Sequence, residues 1–63
     1  MNLAEKRFRN SSVAIVGYNA PYEVVVKQKN NGGINVVDCS TLKSAIETFG
    51  DLVAVEALSE KNM

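Results

Sequence analysis

The feature that most constrains this chain is a hairpin signal in residues 22–39. Val24, Val25 and Val26 precede the run Asn30-Asn31-Gly32-Gly33, and Ile34, Val36, Val37 and Cys39 follow it. Two β-rich runs around an Asn-Gly pair are the strongest short-range signature of a β-hairpin. A two-residue turn at Asn31-Gly32 places Val24, Val26, Val37 and Cys39 on one face and Val25, Ile34 and Val36 on the other. A three-residue loop over Asn30, Asn31 and Gly32 groups Val24, Val26, Ile34 and Val36 instead, with Val25, Val37 and Cys39 opposite. A one-residue slip exchanges faces, yet either register leaves apolar side chains on both. A short chain covers one such face by itself, so the second is expected to meet another molecule.

The 63 residues form one domain, 1–63, near the lower size limit for independent folding. Domains this small usually add a disulfide, a metal or a partner chain to their core. Cys39 is the only cysteine and there is no His, so an internal disulfide is excluded and a metal site would need scattered carboxylates alone. Homo-oligomerisation is the staple that remains. The lone cysteine points to a reducing, cytoplasmic setting, and no run approaches the ~18 apolar residues of a membrane span. Asn10-Ser11-Ser12 matches the short glycosylation pattern by chance in that setting.

Seven basic and seven acidic side chains cancel, but unevenly along the chain. Residues 1–31 carry Lys6, Arg7, Arg9, Lys27 and Lys29 against Glu5 and Glu23, a net of +3. Residues 32–63 carry Lys43 and Lys61 against Asp38, Glu47, Asp51, Glu56 and Glu60, a net of −3. That polarity suits contact between unlike ends of two protomers, or a larger protein partner with a charged patch.

The other elements follow from local pattern. Asn2 and Glu5 imitate a capping box, so residues 1–11 are expected to form a short helix or a flexible arm. Residues 12–18 read as a strand, stopped by Asn19-Ala20-Pro21. Ser40 or Thr41 should cap a helix of about nine residues whose stripe is Leu42, Ala45, Ile46 and Phe49, with Gly50 as its stop. Residues 52–58 are expected to be a final strand with Val53, Val55 and Ala57 inward, or else further helix, and 59–63 a polar tail. The expected fold is therefore a two-layer α+β domain, β-β-β-α-β, with a four-stranded mixed sheet and one short helix on one face.

The chain offers little catalytic chemistry. Cys39 lacks a histidine base and sits beside Asp38, which disfavours thiolate, so it reads as a small core residue. The Asn30–Gly33 run lies between strands and has no Lys-Ser or Lys-Thr after it, which fits a turn better than a phosphate loop. Glu47 and Glu56 read as solvated charges, and no two carboxylates are paired by spacing. An enzyme is not expected, nor a cofactor or a metal.

The leading expectation is a non-enzymatic protein-interaction or regulatory module that self-associates through a sheet face. Its interface would draw on Val25, Ile34, Val36 and Val37, with Tyr18 and Tyr22 bracketing a turn and Val16 nearby. The alternative is a small nucleic-acid binder using Arg7, Phe8, Arg9, Lys27 and Lys29, the basic residues with an aromatic among them.

Overall fold

The computed structural model describes residues 2–61. Four strands, β1 (Asn2–Arg7), β2 (Ser11–Val16), β3 (Tyr22–Gln28) and β4 (Ile34–Cys39), precede a single helix, α1 (Leu42–Lys61). Each strand pairs antiparallel with the next, giving an α+β domain with the sheet order β1-β2-β3-β4. The expected β-β-β-α-β order and mixed sheet are thus corrected to β-β-β-β-α with no parallel pair.

Two segments account for that correction. Residues 2–7 form an edge strand, not an arm or a helix: Ala4 pairs with Ile15, Glu5 with Ala14, Lys6 with Val13 and Arg7 with Ser12. Backbone hydrogen bonding to β2 overrides the weak cap signal, and a bulge between Asn2 and Ala4 ends the regular register. Residues 52–58 are helix, because α1 runs without a break through Gly50, and the fourth strand of the sheet is β1 instead. An exposed mid-helix glycine costs only about 1 kcal/mol against alanine, less than the packing of the turns beyond it returns. Residues 59–61, assigned to a tail, form the last turn, and 62–63 lie outside the described residues.

The turns follow residue chemistry. Arg9 and Asn10 make the tight β1–β2 turn, where Phe8 N–H donates to the Ser11 carbonyl at 2.7 Å. Ala20-Pro21, a cis peptide, lies in the segment between β2 and β3. The β3–β4 loop spans 29–32, longer than either sequence register: Gln28 N–H donates to the Gly33 carbonyl at 2.7 Å. Gly32 takes the left-handed conformation (φ 70°), and Asn31 Oδ1 accepts the Gly33 N–H at 2.8 Å. Relative to a two-residue turn the pairing moves by two, which preserves the faces. Val24 opposite Val37 and Tyr22 opposite Cys39 share one; Val25 opposite Val36 and Lys27 opposite Ile34 share the other.

The helix closes the first of these faces. Thr41 is its N-cap, with Oγ1 accepting the Ser44 N–H at 3.1 Å. Val13, Ile15, Val24, Val26, Cys39 and Ala45 form the core, with Ala4, Phe8, Tyr22, Phe49, Leu52 and Val53 packed around it. The inward stripe is Ala45, Phe49, Leu52 and Val53, one helical period carried across Gly50. Leu42 and Ile46, expected inside, lie outside this stripe and are exposed, as is Val55. The far end is tied down by carboxylates: Arg9 N–H donates to both Glu60 oxygens at 3.2 and 3.0 Å, and Gln28 Nε2 donates to Glu56 Oε1 at 3.2 Å. Glu56 is therefore a half-buried tether, not a solvated charge.

Candidate protein interface on the open sheet face

The side chains that point away from α1 are ordered in rows, because directly opposed residues of an antiparallel ladder share a face. The middle row runs Glu5, Ala14, Val25 and Val36 across all four strands. On one side of it lie Arg7, Ser12, Lys27 and Ile34; on the other lie Asn2, Val16, Glu23 and Asp38. The face therefore has an apolar centre between a basic row and an acidic row. A shallow depression of ≈ 290 Å³ opens over its β1–β3 half, lined by Asn2, Glu5, Ser12, Ala14, Val16, Val25 and Lys27.

The two charged rows differ in how they are neutralised. Arg7 Nε lies 3.4 Å from Glu5 Oε1, a surface ion pair within β1. Glu23 and Asp38 stand directly opposite one another on β3 and β4. The Gln28-to-Gly33 hydrogen bond sets the alternation along this ladder and makes Glu23–Asp38 a non-hydrogen-bonded pair, the type with the closer side chains. Like charges so placed are destabilising.

The structure brings together Val25, Ile34, Val36 and Val16 of the expected interface on one face. Ile34 is 62% and Val36 50% exposed. Val37 lies on the opposite face, beside Cys39, but at the sheet edge, where it remains exposed. The tyrosines part company: Tyr22 packs against the core, while Tyr18 is 76% exposed in the loop after β2. Ala14 was missed by sequence reading, and so was the Glu23–Asp38 pair. Period-two alternation through Ser12, Ala14 and Val16 held the first signal, whereas the second needed the hairpin register.

The basic residues do not form one stripe. Arg7 and Lys27 share the open face, whereas Phe8 packs against the core with Lys6 Nζ 6.0 Å from its ring centroid. Lys29 Nζ donates to the Phe8 carbonyl at 3.2 Å, and Arg9 is held through its backbone by Glu60. Cys39 is buried, its Sγ 3.7 Å from Thr48 Oγ1 and 3.9 Å from the Val37 carbonyl oxygen. Among the described residues, no His, Cys, Asp or Glu cluster is placed to hold a metal ion, and no helix is long and apolar enough to cross a membrane. No family model, curated protein or solved structure matches the chain.

Proposed function

We propose that this protein is a non-enzymatic protein-interaction module that self-associates through the open face of its sheet. The observation that carries this reading is the row order of that face: an apolar band flanked by opposite charges, with Glu23 and Asp38 forced side by side. A second copy supplies what the acidic pair lacks. Rotation by 180° about the line Ala14–Val25–Val36 lays one open face on another, with Val25 over Val25. The same rotation sets the basic row over the acidic row, so Lys27 of each copy meets Glu23 of the other. Such an isologous contact is two-fold symmetric; it also brings Glu5 of the two copies together at the end of the axis, each with its own Arg7 3.4 Å away. It would cover the apolar centre that the helix does not reach, where Ala14 is already buried, Val25 half-buried and Val36 exposed.

The test is Val25→Lys, read by light scattering across a dilution series at low and high salt. The wild type should form a species larger than a monomer, which weakens as salt screens the charged rows. Val25→Lys should lower the mass while keeping the circular dichroism spectrum, since Val25 points away from the core. A folded variant of unchanged mass would overturn the reading.

A further inference from the structure

The two edges of the sheet are not equivalent. β1 ends in Glu5, Lys6 and Arg7 and carries a bulge, both devices that discourage another strand from adding to an edge. β4 presents Ile34, Asn35, Val36 and Val37 in succession, without a charge before Asp38, without proline, and with an uninterrupted register to β3. Its backbone parity is set by the Gln28-to-Gly33 hydrogen bond. Asn35, Val37 and Cys39 direct their N–H and C=O groups to β3, and Ile34, Val36 and Asp38 direct theirs outward from the sheet. Guarding one edge and leaving the other open marks β4 as the edge available for strand addition.

We propose that β4 docks against β4 of a second copy, antiparallel and centred on Val36. Three observations fit this occupant. First, the outward residues Ile34, Val36 and Asp38 are evenly spaced about Val36. A two-fold axis there places Val36 opposite Val36 and Ile34 opposite Asp38, and every outward N–H and C=O between them finds a partner. Second, the charges match. Ile34 and Lys27 are neighbours in one row, so Lys27 of one copy and Asp38 of the other flank the same Ile34 side chain. Third, the helices leave room. α1 packs mainly over β2 and β3. Two helices would then stand about four strand spacings apart, roughly 19 Å, more than the ~10–12 Å diameter of a helix.

Edge pairing also completes the face contact proposed above, and this part alone rests on that reading. Four strands at ~4.8 Å spacing and about six residues at ~3.3 Å present roughly 400 Å². Two such faces bury about 800 Å² together, below the ~1,200 Å² at which specific interfaces begin. Joining two sheets at β4 doubles the face, and a pair of the joined sheets reaches about 1,600 Å². The edge axis crosses the face axis on the Val36 row, so both contacts close into one tetramer.

Amide hydrogen exchange tests the edge directly. In the self-associated protein, Ile34, Val36 and Asp38 should exchange at least about tenfold more slowly than in the protein diluted to monomer, while Asn35, Val37 and Cys39 stay protected in both. Fast exchange at Ile34, Val36 and Asp38 in the oligomer would overturn the edge contact. A second readout is the solution mass of Asn35→Lys, an exposed substitution on the helix side that leaves the open face untouched. If Asn35→Lys lowers the mass and Val25→Lys does not, the edge contact stands and the face contact falls. If only Val25→Lys lowers it, the edge proposal falls. A wild type that stays monomeric at every concentration overturns both.

Discussion

Val24 and Val25 are neighbours in the same strand, yet they belong to different worlds. Val24 is fully buried beneath α1, in a core with Val13, Ile15 and Val26. Val25 faces away from the helix, between Ala14 and Val36, in the middle of a surface ruled into charged and apolar rows. Chemically the two residues are identical, and local propensity treats them alike. The difference comes from which face the helix covers. One face is used up in holding the chain together, and the other has no helix over it.

The sharpest way to break this comparison is to place the same charge on each face. Val24→Asp should abolish folding: a buried, unpaired carboxylate costs several kcal/mol, and a core of this size supplies only about 3–5 kcal/mol in all. The far-ultraviolet circular dichroism spectrum should be that of an unfolded chain at any concentration. Val25→Asp should retain the folded spectrum and change only the mass. If both variants unfold, the open face is part of the stability core, and the division between the faces fails.

How far the sequence revealed these two faces differs by element. The hairpin was legible because turn chemistry and alternation act within a few residues, and an error of two in its register left the faces intact. The helix cap at Thr41 was legible for the same reason. β1 was not, since its polar residues have little strand preference and gain their conformation from pairing with β2. Gly50 misled because a glycine ends a helix only where the chain also turns left-handed, and here it does not. The period through Phe49, Leu52, Val53 and Glu56 is present in the sequence but spans Gly50, a residue type that more often ends helices. The Glu23–Asp38 pair was invisible, because it exists only once β3 and β4 are in register.

Gly50 provides a gentler probe that acts on the covered face alone. It lies within α1 on its exposed side, and a Cβ there would meet nothing within 4 Å. Gly50→Ala should therefore stabilise the domain by about 0.5–1 kcal/mol, by reducing the freedom of the unfolded chain. Thermal melting should shift upward while the solution mass stays that of the wild type. A lower melting temperature would mean that α1 bends at Gly50 and that the core needs the bend.

The smallest effect should also be the most diagnostic, because its sign depends on whether the β4 edge is paired. Asp38→Asn removes one member of the like-charge pair with Glu23 and leaves the side-chain size nearly unchanged. In the isolated chain this relieves a cross-strand repulsion of about 0.2–1 kcal/mol, so the variant should melt slightly above the wild type at high dilution. In the edge-paired assembly proposed above, the same carboxylate would share the Ile34 side chain with Lys27 of another copy and act as its counter-charge. Its loss should raise the concentration at which assembly is half complete, measured by light scattering at low salt. The two signs oppose because the repulsion acts within one chain and the attraction between two. If both effects have the same sign, Asp38 has no role between copies, and the acidic row must be ascribed to the monomer alone.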